Sequence, residues 1–340
     1  MVDITKLDEP GLEDILSEAT EGTRKAVGGL HGDIVVLGAG GKMGPTLAMM
    51  LKKASADKRN IYAVSRFGDR AARTRIEQAG IKTIRLDLLD ESSYSQLPNV
   101  ENVFYLVGMK FGATGNQPLT WAQNTFVPTM AAQHYRNARI VAFSTGNVYP
   151  LAAVGSGGAV EETAPDPIGE YAQSCLGRER MFQYFSQVHN TPVTLIRLNY
   201  ANEPRYGIIV DLTLKILADK PIDLTMGTVN LIWQRDANDY IIQAIGLAKS
   251  PPAILNVTGP GAISIRQLAE QIGNLLGRKP KFISHEAETA LLSNAAKCFS
   301  LFGYPKTPLD EMVSFTVKWV ASGKMVLNKP TKYDIRNGKF

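Results

Sequence analysis

Asp33-Ile34-Val35-Val36-Leu37-Gly38-Ala39-Gly40-Gly41-Lys42-Met43-Gly44-Pro45-Thr46-Leu47-Ala48 decides the fold. An apolar run, Ile34 to Leu37, enters a glycine cluster, and an apolar helical pattern (Leu47, Ala48, Leu51) follows. Buried strand, tight turn and helix, in that order, form the frame that a dinucleotide pyrophosphate needs. In that frame Gly38 permits the turn, Gly41 admits the phosphates close to the backbone, and Gly44 lets helix and strand pack tightly. The helix start then offers N–H groups and a positive dipole end to an anion. Glycines also serve as plain turns, so the position between strand and helix carries the reading.

Outward from this stretch, strands alternate with helices. Pro45 stands at a first helical position. Strands are expected at Asn60–Val64, Thr83–Leu86, Asn102–Val107 and Arg139–Phe143, with one helix from Pro118 to Arg136. That alternation predicts an α/β fold, a doubly wound parallel sheet of the Rossmann type with a smaller C-terminal substrate lobe. The expected divisions are a helical extension over 1–31, a dinucleotide-binding domain over 32–198, a mixed lobe over 199–330 and a tail over 331–340. In the extension, Leu12, Ile15, Leu16 and Ala19 suggest an amphipathic helix, followed by a second short one ending near Gly28-Gly29. Ser264 caps a later helix. The basic, polar chain after Ser322 is expected to wrap the surface or stay partly disordered.

The second strand ends at Ser65-Arg66, where such a fold reads the adenosine ribose. An acid there would suit NAD; Ser with Arg suits the 2′-phosphate of NADP. The expectation is NADP, with NAD as the alternative, and an ordinary surface arginine as the plainer reading of Arg66.

Composition bounds the rest. The chain has 340 residues, 44% hydrophobic and 20% charged, enough for one large α/β unit with an added lobe. Its net charge of +5 is spread along the chain without a basic, aromatic-interleaved run, which argues against nucleic-acid binding. Cys175 and Cys298, the two cysteines, fit a reducing cytoplasm better than a disulfide framework. The early acids Asp3, Asp8, Glu9, Glu13 and Asp14 break any signal-peptide core, and no apolar run reaches membrane-spanning length. A soluble, cytoplasmic protein is the expectation. His134, His189 and His285 share no metal-ligand spacing with cysteines or acids, so no metal site is expected. Trp121 and Trp233 read as core or pocket walls.

Taken together the motifs resemble the extended short-chain dehydrogenase/reductase family, the NAD-dependent epimerase/dehydratase group, over nearly the whole chain. The resemblance implies that Gly38, Gly40, Gly41, Lys42, Met43 and Gly44 form the cofactor turn. It likewise implies cofactor contacts from Ser65, Arg66, Asp87, Leu88, Leu106, Val107, Gly108, Lys110, Asn124 and Tyr171. Phe143-Ser144-Thr145-Gly146-Asn147 is similar to the family's serine/threonine-rich strand end, placing Thr145 at its catalytic hydroxyl. Tyr171, 26 residues on (171 − 145), resembles the catalytic tyrosine. Asn147, Asn199 and Tyr200 fall at substrate-contacting positions. Pairing of the helices 118–136 and 171–188 would give a homodimer, to which Met181, Phe182, Tyr184 and Phe185 could add apolar surface unless they are core.

Departures from the family pattern matter as much. Where it has Tyr-x-x-x-Lys, this chain has Tyr171-Ala172-Gln173-Ser174-Cys175. The family's lysine holds the nicotinamide ribose and lowers the tyrosine pKa; a free phenol titrates near ~10, a poor base at neutral pH. Arg178, two helical turns on, and Lys110, on a neighbouring strand end, are the candidate substitutes. Cys175 itself reads as a small buried residue. Val229 stands where nucleotide-sugar epimerases carry a diphosphate-binding arginine, with Arg205 and Arg235 as candidates from other segments. Gly146-Asn147 replaces the acidic pair of the dehydratases, which disfavours dehydration.

Two functions follow. One is an NAD(P)-dependent oxidoreductase or epimerase moving hydride at a hydroxyl or keto carbon of a sugar, sugar acid or small polyol. In it Tyr171 exchanges the proton, Thr145 binds the substrate oxygen, and Lys110 or Arg178 supplies charge. The other is a non-catalytic nucleotide-binding sensor or partner-binding module that kept the pocket and lost the lysine.

Overall fold

The computed structural model describes residues 4–110, 112 and 115–339. Phe111, at the end of the Gly108-Met109-Lys110-Phe111 segment, and Asp3 lie outside the described residues.

Strand β1 (Ile34–Leu37) is buried on both faces, as expected of a strand sandwiched between helical layers. Ile34 and Val36 join the core beneath one layer, and Val35 and Leu37 the core beneath the other. Around it lie β2 (Ile61–Ser65), β3 (Lys82–Arg85), β4 (Asn102–Tyr105), β5 (Arg139–Thr145), β6 (Val193–Leu198) and β7 (Ala253–Val257). Among the described residues they form one parallel seven-stranded sheet in the order β7-β6-β5-β4-β1-β2-β3. The order reverses between β1 and β4. At such a switch point two neighbouring connections leave in opposite directions and open a crevice at the strands' C-terminal ends.

One expected helix is really three pieces. Between α5 (Gln117–Trp121) and α6 (Val127–His134) lies a π-helical turn, Ala122–Phe126. Pro128 has no N–H for the carbonyl four residues back and its ring would crowd it, so one widened turn accommodates the proline. The π turn carries Asn124.

The extension forms α1 (Glu9–Leu16) and α2 (Glu21–Gly28), capped by the side chains of Asp8 and Thr20. It does more than lie on the domain. Leu12 and Leu16 enter the core of the C-terminal lobe, whereas Val27 enters the sheet core. Glu13 bridges Arg75 at 2.7 Å, on α4 (Arg70–Gln78), and Arg205 of the lobe at 2.9 Å. The lobe itself packs α8 (Ile208–Leu217), α10 (Ile265–Leu276) and α11 (Leu309–Ala321) around Trp233 and Trp319, while α9 (Gln234–Gln243) returns to the sheet. The tail is seated rather than loose: Thr331 and Tyr333 are buried. No helix of the described residues is long and apolar enough to cross a membrane, and none of their His, Cys, Asp and Glu side chains group in threes to hold a metal.

Candidate active site

The crevice holds a cavity of about 230 Å³, reached by the glycine turn on one side and the lobe on the other. Helix α3 (Gly44–Ser55) starts at its rim with Met43 as N-cap and no side chain capping the first turn. Its leading N–H groups are therefore available to an anion. The glycines divide the work. A Cβ on Gly38 (φ +85°) would stand 2.9 Å from the backbone of Leu106 and Val107, and one on Gly44 2.4 Å from Ala39 O. These two let the chain pack on itself. A Cβ on Gly41 would meet only Gly38 O, at 3.2 Å, so its bareness leaves room on the cavity side. The donor set and the cradle fit a dinucleotide pyrophosphate.

Tyr171 and Thr145 meet at the cavity floor. Thr145 ends β5, and Tyr171 lies in the first turn of α7 (Gly169–His189). Thr145 Oγ1 accepts from Asn147 N and Nδ2, both at 3.2 Å, and Thr145 lowers the pKa of the Tyr171 phenol. The placement is enforced by a buried network. Arg197 of β6 grips Glu179 of α7 through Nε at 3.0 Å and Nη2 at 2.7 Å, and Ser144 Oγ donates to the same carboxylate. Glu179 thus ties α7 to β5 and β6.

Cys175, one helical turn after Tyr171, is fully buried, and the two groups raise and lower each other's pKa as neighbours. Burial pushes its thiol up. Arg178 turns inward beneath it. Its Nη1 donates to Phe143 O at 3.0 Å, its Nη2 donates to Asn124 Oδ1, and its Nε is buried without a partner. Asn124 also accepts from Met109 N and donates to Met109 O and Ser174 Oγ, so it braces the site without lining it. Gly108 must be bare, since a Cβ there would lie 2.3 Å from Arg178 Nη2.

Two lysines face the same cavity. Lys110 Nζ sits 6.0 Å from the Tyr171 ring centre and donates to Thr331 O at 3.1 Å. Burial lowers its pKa to about 8, against a raising pull from Cys175 and Asp211. Lys42 Nζ donates to Ala201 O at 2.7 Å and lies 3.8 Å over the Tyr206 ring. Burial lowers it to about 7.

One expectation is corrected here. A neighbouring cation should have pulled the Tyr171 pKa down; instead burial holds it well above the ordinary phenol value, and Arg178 and Thr145 offset only part of that. Desolvation outweighs charge because the phenolate would form away from water. A second correction concerns the diphosphate. Arg205 is consumed by Glu13 and Glu203, and Arg235 by Glu18 and Asp236. Val229 is buried in a short ribbon with Ile263.

Of the residues expected in the site, Gly38, Gly41, Lys42, Met43, Gly44, Leu106, Gly108, Lys110, Thr145, Asn147, Tyr171, Arg178, Asn199 and Tyr200 line the cavity. Val107 and Asn124 do not line it, and Gly40 is exposed and faces Ser65, a Cβ on it standing 2.7 Å from Ser65 Oγ. Ser65, Arg66, Asp87 and Leu88 form a separate shelf at the ends of β2 and β3, with Arg66 and Asp87 exposed. Tyr206 and Thr331 also line the cavity without having been expected; Gly207 (φ +137°) at the start of α8 was the one local signal nearby, and Thr331 had none.

Residues 34–224 match the model of the NAD dependent epimerase/dehydratase family. A search of curated proteins finds no match. Solved structures share the fold at low identity. UDP-glucuronic acid 4-epimerase from Bacillus cereus, in complex with UDP-glucuronic acid and NAD, is 18% identical with a TM-score of 0.72, over 85% of this chain and 99% of that one. MoeE5 in complex with UDP-glucose and NAD is 20% identical with a TM-score of 0.70, over 86% and 99%. The dTDP-glucose 4,6-dehydratase of Bacillus anthracis str. Ames, in complex with NAD, is 16% identical with a TM-score of 0.73, over 85% and 96%. With more than half of its length matched by the family model, and with the glycine turn, switch-point crevice and Tyr171–Thr145 pair in place, the chain belongs to the NAD dependent epimerase/dehydratase family of enzymes.

Proposed function

We propose that the protein moves a hydride at a hydroxyl-bearing carbon of a small polyol, sugar or sugar acid, with a bound nicotinamide dinucleotide as hydride acceptor or donor. The observation that carries this is the placement of Tyr171 and Thr145 together in one cavity with the glycine turn, where Thr145 lowers the phenol's pKa. Thr145 would orient the substrate oxygen, and Tyr171 would take the hydroxyl proton in oxidation or return it in reduction. Retention of the oxidised substrate would allow hydride return to its other face, an epimerisation; release would make the reaction net oxidation or reduction.

Substrate charge follows from the lining. The cavity lining includes Lys42, Lys110 and Arg178 but no acid. A carboxylate on the substrate would suit Lys110. A nucleoside diphosphate needs fixed cationic donors, and Arg205 and Arg235 are already paired. Calorimetry should therefore register no submillimolar binding of UDP or GDP.

For the cofactor we favour NADP over NAD. Arg66 is exposed at the β2 end beside Arg85, whose Nε donates to Arg66 O at 3.1 Å. The nearby Asp69 is engaged in capping α4. A charge-assisted contact is worth roughly 1.5–3 kcal/mol, so Arg66→Ala should weaken NADP(H) by about ten-fold or more and spare NAD(H). Better binding of NAD(H) by the wild type, untouched by the substitution, would reverse the assignment.

The buried Cys175 and the upward-shifted Tyr171 favour a second reading, a nucleotide-binding module without turnover. Purified protein incubated with either cofactor and a panel of polyols and sugar acids separates the two. Turnover lost in Tyr171→Phe supports the enzyme; tight nucleotide binding with none supports the module.

A further inference from the structure

Beyond Ser322 the chain crosses the molecule as a strap. Leu327 N donates to Arg205 O at 2.9 Å. Thr331 donates twice to one carboxylate oxygen of Asp211, from its backbone N at 2.8 Å and from Oγ1 at 2.6 Å. Tyr333, 1% exposed, enters the lobe core, and Asp334 bridges Lys215 at 3.1 Å. Arg336 Nη1 donates to Thr289 O at 2.6 Å, and Nη2 to Thr289 Oγ1 at 2.7 Å. Gly338 then presses on the start of α7: a Cβ on it would stand 2.2 Å from Ile168 O and 2.7 Å from Gly169 Cα. That is two residues before Tyr171. The strap therefore touches the lobe, the cavity and the helix that carries the phenol.

We propose that Thr331 is a positioning residue for the active site: fixed by Asp211, its carbonyl holds the Lys110 amine over Tyr171 and shields it from water. A lysine head rides on a four-carbon stem and samples many positions unless an acceptor fixes it. Thr331 O is such an acceptor, and one carboxylate oxygen of Asp211 fixes the residue through its backbone N and its hydroxyl. The charged and titratable groups facing Lys110 are Cys175 and Tyr171 from α7, Asp211 from α8, Lys332 from the strap, and Lys42 from the glycine turn. The consequence for chemistry, a cation held near the proton-exchanging phenol, rests on the hydride-transfer reading. The placement of Lys110 does not.

Removing the strap returns Lys110 to water, so its pKa rises from about 8 toward the ordinary lysine value. Lys42 lines the same cavity but is held by Ala201 and Tyr206, and its titration near 7 stays in place. The test follows the Cε signals of isotopically labelled lysines by NMR across pH, assigned with Lys110→Arg and Lys42→Arg. It compares the whole chain, a chain ending at Pro330, and Thr331→Gly, which leaves buried Tyr333 in place. We expect Lys110 to rise by about one unit or more in the truncated chain and by a smaller amount in Thr331→Gly, with Lys42 unmoved in both. If the truncated chain does not fold, Thr331→Gly decides alone. An unchanged Lys110 overturns the proposal, and so does a matching shift of Lys42, which would signal general opening of the cavity. No cofactor or turnover enters the measurement, so the outcome is independent of whether hydride transfer is found.

Discussion

Cys175 stands one helical turn after Tyr171, fully buried, and raises the pKa of the tyrosine's phenol. Arg178 lowers the pKa of that phenol, and Lys110 Nζ stands 6.0 Å from its ring centre. Burial outweighs the pull of Arg178.

The pH dependence follows from that balance. With the phenol held above its ordinary pKa, Tyr171 stays protonated at neutral pH and is a better acid than base. Reduction should therefore run well at neutral pH, and oxidation should accelerate as pH rises. Arg178→Met removes a group that lowers the Tyr171 pKa, so its oxidation limb should move further alkaline. pH–rate profiles of wild type and Arg178→Met in both directions check this; a limb that moves toward acid would refute it.

A lysine at position 175 should damage the fold. Position 175 is fully buried, and a lysine there adds length and a second charge beside Arg178. Overpacking alone costs about 1–3 kcal/mol, and an unpaired buried charge adds to it. Cys175→Lys should melt well below the wild type, whereas Cys175→Ser should remain close to it. Calorimetric melting temperatures decide the matter.

Lys42 predicts a pH-dependent cofactor affinity. Its pKa of about 7 in the free protein makes it largely neutral at pH 8, whereas a bound pyrophosphate favours its charged form. Binding should take up a proton, and affinity should fall as pH rises through 7. For folding the sign is opposite. Between about 7 and the ordinary lysine value the unfolded chain binds the extra proton, so stability attributable to Lys42 rises with pH across that window. Lys42→Met should flatten both trends, read by calorimetric titration in two buffers and by denaturant unfolding.

Glu179 is the sole carboxylate contacting the Arg197 side chain among the described residues, and both are buried. Breaking a buried pair from one side typically costs about 3–5 kcal/mol. Glu179→Leu should lose stability on that scale in urea, because Arg197 is left charged and enclosed. A loss below about 1 kcal/mol would mean that the pair does not anchor α7.

A homodimer is the expected assembly. Of the apolar residues on α7, Phe182 is buried against Tyr105 and Phe185 packs on the sheet core, so they serve the monomer. Tyr184 and Val188 remain exposed, as do Leu119, Trp121 and Phe126 on the neighbouring helix. Light scattering at micromolar concentration should give twice the chain mass of 37.1 kDa, and Tyr184→Asp with Phe126→Asp should halve it.

What the sequence settled by itself was local. The run from Asp33 to Ala48 specifies strand, turn and helix within sixteen residues, because glycine conformation, apolar burial and helix-end chemistry act over a few residues. Strand alternation then gave the doubly wound sheet, and the family resemblance pointed to Thr145 and Tyr171, which the fold brings to one cavity. The inward turn of Arg178 and the cavity-lining Thr331 were decided only by the tertiary structure. Thr331 lies 221 positions from Lys110, and no periodicity links residues so far apart. The pKa directions are tertiary in the same sense. Whether Arg178 or burial governs Tyr171 depends on how much water the packed chain excludes, a quantity set by every element around the cavity rather than by the residues that titrate in it.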